Sequence, residues 1–290
     1  MEIRVAKTAG FCFGVQRAID QVHELMEKET IPIYTLGPII HNEHVVQELE
    51  RGGVKAITEE QICTVPRGIV VIRSHGVGRE VYGKIEAAGH RLVDATCPFV
   101  LKIHRIVERE SAKGRHIIIT GDQNHPEVIG IRGWCSGKVN CLASVKEAEA
   151  FLPDKNSELC VVSQTTFNYN KFQDMVAILL EKSYDVNVYN SESCNIINTI
   201  CNATEERQRE ARQIAAVSDT MLVIGSRNSS NTQKLFEICS SECSNTYYIQ
   251  TPVDLDSDMF QCSSYVGITA GASTPKSIIE EVQKHVRENI

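Results

Sequence analysis

Three cysteines in this chain are each followed by an amphipathic stretch with helical spacing. Cys12 lies in TAGFCFGV, Cys97 in DATCPFV and Cys201 in NTICNATEER, each beside small or helix-capping residues. A helix N-terminus favours the thiolate, which is the form of cysteine that binds metal. Pro98, directly after Cys97, resembles the Cys-Pro step common at iron–sulfur ligands. The three positions predict metal ligation, with plain burial of the thiols as the alternative.

Polar side chains follow six strand-like segments. In open α/β sheets, ligands bind beyond the carboxyl ends of the strands, where helix N-termini favour anions. The loops there are LGPIIHN, RSHG, TGDQNHPE, SQTT, GSRNSSN and TAGAST. Their hydrogen-bonding side chains are His41, His75, His125, Thr165, Thr166, Ser229, Ser230, Asn231 and Ser273. This set predicts a site for an anionic ligand, although the serine and asparagine members would also suit helix caps.

The other cysteines and histidines have no such setting. The chain has 11 cysteines, an odd number, so we do not expect a disulfide framework. Cys239 and Cys243 form a C-x3-C pair without a second pair nearby, and we predict packing or surface thiols there. Cys63, Cys160, Cys194 and Cys262 also lack the helix-start context. The six remaining histidines are predicted to be surface or supporting residues: His23, His44, His90, His104, His116 and His285.

Short apolar runs alternate with longer helical patterns along the chain. The predicted strands are IRVA, PIYTL, GIVVIR, HIIIT, LCVVS, MLVIG and YVGIT. Helical spacing of apolar residues follows HNEH and SHG and recurs at the C-terminus, and the first two stretches end at glycines. Alternating strands and helices predict an α/β protein with largely parallel sheets. Each of the three cysteine helices precedes two strand–loop–helix units, and residue identity between the three units is low.

Composition excludes several classes of protein. The 290 residues carry 30 Lys+Arg against 37 Asp+Glu, and this acidic balance argues against nucleic acid as the main partner. No apolar run approaches the ~20 residues needed to span a bilayer, and no secretory signal is evident. We therefore expect a cytoplasmic location. The stretch from Gly78 to Lys84 resembles a P-loop but lacks the Ser or Thr and lies in a helical pattern.

Eight motifs in order resemble one known family. GFCFGV, RSHGV, VDATCP, HPEV, SQTT, TICNAT, NSSN and TAGAS are similar to the LytB/IspH family of 4-hydroxy-3-methylbut-2-enyl diphosphate reductases. The match runs from Cys12 to about Pro275. Such enzymes catalyse the last step of the non-mevalonate isoprenoid pathway, and eight ordered motifs are far more specific than any one of them.

The resemblance implies a fold and a cofactor. It implies three small doubly wound α/β units in a pseudo-threefold trefoil around a central iron–sulfur site. The units would be residues 1–97, 98–200 and 201–290. Cys12, Cys97 and Cys201 would bind a 4Fe–4S cluster and leave one iron open to the substrate hydroxyl.

The resemblance also implies roles for the polar loops. The catalytic residues would be Glu127, Thr165 and His125. Glu127, after His125 and Pro126, would be the proton donor, and Thr165 would hold or relay protons to the substrate hydroxyl. The nine loop side chains would bind the substrate, and all of them except Thr165 and Thr166 would form a ring of donors for its diphosphate. A carboxylate in the first turn of a helix is favoured ionised, which is the wrong form for an acid. We expect Glu127 to take up its proton on substrate binding or reduction.

Other functions stay open at this point. A quinolinate-synthase-like enzyme also resembles a trefoil with a 4Fe–4S cluster, but its motifs are not recognised in this sequence. A non-catalytic iron–sulfur sensor would not need so many donors in six loops. A structural zinc module would need a fourth ligand. Because no flavin or nicotinamide motif is recognised, electrons would arrive from a ferredoxin or a flavodoxin.

Overall fold

Twelve parallel strands form three sheets in the computed structural model, which describes residues 1–155, 157–186, 194–261 and 263–289. Cys262 lies outside the described residues. In chain order the strands are β1 (Glu2–Val5), β2 (Ile33–Leu36), β3 (Val54–Ile57), β4 (Ile69–Ile72), β5 (Arg91–Asp94), β6 (His116–Thr120), β7 (Val139–Leu142), β8 (Leu159–Ser163), β9 (Cys194–Ile196), β10 (Thr220–Ile224), β11 (Thr246–Ile249) and β12 (Tyr265–Ala270).

Helices separate most of these strands, as the alternating pattern predicts. In chain order they are α1 (Phe13–Lys28), α2 (Glu43–Arg51), α3 (Arg79–Ala87), α4 (Pro98–Ala112), α5 (Pro126–Arg132), α6 (Val145–Ala150), α7 (Tyr169–Val186), α8 (Asn202–Ala215), α9 (Ser230–Glu242) and α10 (Lys276–Asn289). No helix of the described residues is both long enough and apolar enough to cross a bilayer.

The three sheets share one arrangement of two central and two edge strands. Sheet A has the strand order β1-β12-β10-β11, sheet B has β3-β2-β4-β5, and sheet C has β7-β6-β8-β9. In sheets B and C the chain runs outward from two adjacent central strands in opposite directions, which is the doubly wound arrangement. In sheet A the chain runs outward from β10 to β11, and the N-terminal strand β1 occupies the other edge beside β12. All pairs are parallel. The predicted α/β class with three small doubly wound sheets is confirmed.

The chain divides into two compact units. One unit contains sheet A and comprises Met1–Gln16, Ile40–Arg51 and Cys201–Ile290. The other contains sheets B and C and comprises Arg17–Ile39 and Gly52–Ile200. β1 pairs with β12 in sheet A although it belongs to the predicted segment 1–97. The segment boundaries at 97 and 200 stay a prediction.

The six central strands are almost completely buried because helices cover both faces. In sheet A, Ile214 of α8 and Leu235 of α9 pack on one face, and Val282 of α10 packs on the other. In sheet C, α4 and α5 cover one face, and Phe172 of α7 packs on the other. Continuous apolar strands such as Ile69–Ile72 are typical of parallel sheets buried on both faces.

Three histidines predicted to be surface or supporting residues are buried. They are His90, His104 and His116. His90 contacts two backbone groups, because its Nδ1 accepts from the N–H of Gly68 at 3.2 Å and its Nε2 is 2.7 Å from the carbonyl oxygen of Ile62. His104 stacks on the ring of Trp134 at a centroid distance of 5.2 Å. Burial lowers the pKa of His104 to about 4, so this imidazole is neutral at physiological pH. The amphipathic ring of histidine lets it fill a core once its charge is lost.

Candidate active site

The six predicted loops all follow central strands at the switch points of the three sheets. Loops after β2 and β4 lie at the carboxyl edge of sheet B, those after β6 and β8 at that of sheet C, and those after β10 and β12 at that of sheet A. At a switch point the two connections leave in opposite directions and open a crevice for a ligand. The topology therefore brings the predicted donors to the ligand-binding edges.

Glu127 and Thr165 form a buried, hydrogen-bonded pair at the switch point of sheet C. The backbone N–H of Thr165 donates to Oε1 of Glu127 at 2.6 Å, and Thr165 Oγ1 donates to Oε2 at 2.6 Å. Glu127 is only 2% exposed, and Thr165 is also buried. Both carboxyl oxygens therefore accept hydrogen bonds from the loop after β8, although Glu127 itself lies in the first turn of α5.

The environment of Glu127 moves it toward the protonated form. Burial raises the pKa of Glu127 to about 7, although the hydrogen bonds from Thr165 oppose the shift. Its place in the first helical turn favours the ionised form, but desolvation of a fully buried carboxylate is the larger effect. A carboxyl group that titrates near pH 7 is suited to general acid catalysis.

His125 connects this acid to a second histidine. It is the N-cap of α5, and its Nδ1 accepts a hydrogen bond from the backbone N–H of Glu127 at 3.1 Å. An accepting Nδ1 leaves Nε2 as the nitrogen that carries the proton in the neutral ring. The ring of His75 meets that of His125 edge to face, with centroids 5.4 Å apart. The structure therefore brings His75, His125, Glu127 and Thr165 together.

Replacing Thr165 by Val should shift the pH dependence of the acid. The variant removes the Oγ1–H donor that favours the carboxylate, so the pKa of Glu127 should rise by roughly one unit. Because a general acid works in its protonated form, activity should fall with rising pH at a higher midpoint than in the parent. The measurement is a pH–rate profile, with Thr165→Ser as the control that keeps the hydroxyl. An unchanged midpoint in Thr165→Val would refute this coupling.

The sheet A unit holds a second group of predicted donors. Ser273 Oγ donates to the carbonyl oxygen of His41 at 3.1 Å, and Asn42 Nδ2 donates to the carbonyl oxygen of Ser273 at 3.0 Å. Ser273 therefore connects the loop after β12 to the chain at His41. Asn42 also accepts from the backbone N–H of Val45 at 3.1 Å, and the sequence analysis missed this residue although it directly follows His41 in the motif IIHNEH.

The start of α9 holds a buried amide donor that has no partner among the described residues. Ser229 is the N-cap, and its Oγ accepts from the backbone N–H of Thr232 at 3.4 Å. Asn231 accepts from the N–H of Ala272 through Oδ1 at 3.0 Å, while its buried Nδ2 has no partner in the part of the chain that the structure describes. Ser230 is the first helical residue. Helix N–H groups and the free amide of Asn231 suit an anion, because both donate hydrogen bonds.

The three predicted ligand cysteines occupy the same position relative to their helices. Cys97 and Cys201 are the N-caps of α4 and α8, and the carbonyl oxygen of Cys12 accepts from the N–H of Gln16 in the first turn of α1. The N–H of Cys97 donates to Ser74 in the RSHG loop, and that of Cys12 donates to Ala272 in the TAGAS loop. The predicted helix starts are confirmed, and none of the three cysteines forms a disulfide within the part of the chain that the structure describes.

Other cysteines are less suited to metal ligation. Burial raises the pKa of Cys135, Cys160 and Cys239 to about 12, and that of Cys194 to about 11. A raised pKa disfavours the thiolate that a metal needs. Cys239 and Cys243 pack in the core of the sheet A unit, in agreement with the predicted packing role.

Fold and site together define a three-sheet α/β protein with a buried carboxyl group of raised pKa and hydrogen-bond donors that suit an anion. A family model described as "LytB protein" matches residues 3–287. The chain belongs to this family.

Curated relatives and solved structures agree. The "4-hydroxy-3-methylbut-2-enyl diphosphate reductase" of Caldanaerobacter subterraneus subsp. tengcongensis is 45% identical over 99% of this chain and 97% of its own length. That of Geobacter sulfurreducens is 44% identical over 99% and 98%. The E-1-hydroxy-2-methyl-but-2-enyl-4-diphosphate reductase structure from Plasmodium falciparum has a TM-score of 0.89 at 29% identity, covering 98% of this chain and 86% of that chain.

A second solved structure bears on the pathway. It is described as (E)-4-hydroxy-3-methyl-but-2-enyl diphosphate reductase, the terminal enzyme of the non-mevalonate pathway. Its TM-score is 0.69 at 36% identity, with 99% of this chain and 100% of that chain covered. The predicted family is thereby confirmed.

Proposed function

We propose that this chain reductively dehydroxylates (E)-4-hydroxy-3-methylbut-2-enyl diphosphate to isopentenyl and dimethylallyl diphosphate. Family membership and the names of the relatives bear out the reductase activity that the motifs predict. The reaction breaks the allylic C–O bond and consumes two electrons and two protons. One proton leaves with the hydroxyl group as water, and the other is added to carbon.

The observation that carries the proposal is the buried Glu127–Thr165 pair. Glu127 is the acid whose pKa of about 7 keeps a proton available near neutral pH. Thr165 Oγ1, 2.6 Å from Oε2, would pass that proton toward the substrate hydroxyl or hold the hydroxyl in place. His125 would orient the substrate beside the acid, since its Nδ1 is already occupied by the N–H of Glu127.

The cysteines would hold an iron–sulfur cluster. Cys12, Cys97 and Cys201 each stand where a helix begins, and soft thiolate ligands suit such clusters. The buried Nη1 of Arg207 has no hydrogen-bond partner among the described residues. The thiolates of Cys12 and Cys201 favour the charged form of Arg207 and so raise its pKa, against the effect of burial. A fixed cation near two thiols fits an anionic group. When bound, a 4Fe–4S cluster with one open iron supplies electrons and a Lewis-acid position for the substrate oxygen.

The loop donors would bind the substrate, and all of them except Thr165 and Thr166 would contact its diphosphate. Overall charge is −7, so attraction must come from local donors rather than from the net field of the protein. The proposed binding residues are His41, His75, His125, Thr165, Thr166, Ser229, Ser230, Asn231 and Ser273. Charge-assisted hydrogen bonds to phosphate are stronger than neutral ones. A ferredoxin or flavodoxin would supply the electrons.

The test is an anaerobic electron-transfer assay. Cluster-reconstituted protein is mixed with a reduced viologen dye, and dye oxidation is followed with and without the proposed substrate. Oxidation should depend on substrate and yield the two diphosphate products. If about four irons and four sulfides per chain are present and no oxidation follows, the proposal is wrong. Quinolinate synthesis or sensing would then be tested.

A further inference from the structure

A buried arginine on α8 holds the chain segment that leads to Cys12. Arg207 is 3% exposed and donates from Nε and Nη2 to the carbonyl oxygen of Thr8, at 2.9 and 2.6 Å. Nη2 also donates to the carbonyl oxygen of Gly10 at 2.8 Å. The planar guanidinium thus fixes two backbone carbonyls of one short loop at the same time, a geometry that an ammonium group does not reproduce.

A glutamate one turn along the same helix holds the same segment from its N–H side. Glu210 accepts from the backbone N–H groups of Lys7 and Thr8, at 2.9 and 2.8 Å. It also accepts from Thr8 Oγ1 at 2.6 Å. Arg207 and Glu210 therefore bind residues 7–10 to the helix that begins after Cys201. Cys12 follows two residues after Gly10, the end of this segment.

The remaining nitrogen of Arg207 is not used within the described chain. Its buried Nη1 has no hydrogen-bond partner there. Burial lowers the pKa of Arg207, and Cys12, Cys201 and Glu210 partly oppose this shift because they are negative when ionised. An arginine keeps its charge under such conditions. A positive charge is consequently fixed near Cys12 and Cys201.

We propose that Arg207 is a positioning residue that holds Cys12 ready for ligation and offsets the negative charge of ligated thiolates. The inference rests on the proposed function, because the thiolates would be those of the cluster site. It assigns two separable effects to one side chain. Hydrogen bonds to Thr8 and Gly10 order the loop, and the charge favours the reduced, more negative cluster over the oxidised one.

Two variants separate these effects. Arg207→Met removes both the hydrogen bonds and the charge, whereas Arg207→Lys keeps the charge and loses the planar set of donors. Arg209→Met, on the exposed side of the same helix, is the matched control. Circular dichroism on heating checks that each variant is folded, and Arg207→Lys carries the loop test if Arg207→Met does not fold.

The first readout needs no cluster. Iodoacetamide modification of Cys12 in the cluster-free protein is followed by mass spectrometry, with the exposed Cys63 as internal reference. Because Arg207→Lys loses the planar set of hydrogen bonds but keeps the positive charge that favours the thiolate, Cys12 should react about tenfold faster in this variant than in the parent. Arg207→Met also loses that charge, so Cys12 should react more slowly there than in Arg207→Lys, and Arg209→Met should match the parent. Equal rates in Arg207→Lys and Arg209→Met would overturn the loop-positioning role.

The second readout is made on reconstituted protein. Arg207→Met should retain less iron against a chelator and show a lower midpoint potential in a spectroscopic redox titration. Arg207→Lys should keep a potential near that of the parent while also losing iron faster. A midpoint potential unchanged in Arg207→Met would refute the charge effect. If the parent itself takes up no cluster, the proposed function fails, while the alkylation result still decides the role of Arg207 in the loop.

Discussion

A Glu127→Gln variant should turn over about 100- to 10,000-fold more slowly than the parent while keeping its cluster and its substrate affinity. Gln has nearly the shape of Glu but has no proton to give. Its Oε1 still accepts from the N–H of Thr165, so the loop after β8 should stay in place. The loss should therefore fall on kcat and leave KM nearly unchanged.

The pH profile gives the same prediction a second readout. In the parent, activity should fall as pH rises through about 7, because burial raises the pKa of Glu127 to that value and the acid must be protonated. That limb should disappear in Glu127→Gln. Glu147→Gln is the matched control, since Glu147 also lies in the first turn of a helix but is exposed. Parent-like turnover in Glu127→Gln would exclude the acid role.

Central and edge strands differ in how well the sequence predicts them. All seven predicted strands exist, and six of them are central strands with continuous apolar runs such as His116–Thr120. The five strands that were missed, β3, β5, β7, β9 and β11, lie at sheet edges and are only partly buried. An edge strand such as Arg91–Asp94 has one neighbouring strand and is partly exposed, so its residues need not be apolar. The continuous apolar run that predicts a central strand is therefore missing from it.

Site residues follow a similar division. The polar loops are predictable because central strands end in short connections that lead into helices. The protonation state of Glu127 is not predictable from the sequence. The sequence shows that Glu127 lies at a helix start but not that it is buried, and burial decides its pKa. The hydrogen bonds of Arg207 and Glu210 are not predictable from the sequence, because their partners, Thr8 and Gly10, are about 200 positions away in the chain. Such contacts exist only after sheet A has brought α8 beside the loop before Cys12.

Replacing Cys12, Cys97 or Cys201 by Ser should each abolish the iron–sulfur absorbance and lower activity by at least about 1,000-fold. A hydroxyl is a much weaker ligand than a thiolate for iron in such clusters. Each cysteine begins a helix, and a Ser is a good N-cap, so the fold should tolerate the change. The measurements are iron and sulfide content, visible absorbance and the viologen assay.

The chain provides its own control thiols. Cys63 is exposed, and Cys194 is partly buried with a pKa raised to about 11 by burial. Cys63→Ser and Cys194→Ser should retain the full iron content and activity, because neither thiol begins a helix and that of Cys194 resists deprotonation. Normal iron content in any of the three ligand variants would remove that cysteine from the cluster. Loss of iron in Cys194→Ser would instead show that the setting at a helix start is not what selects the ligands.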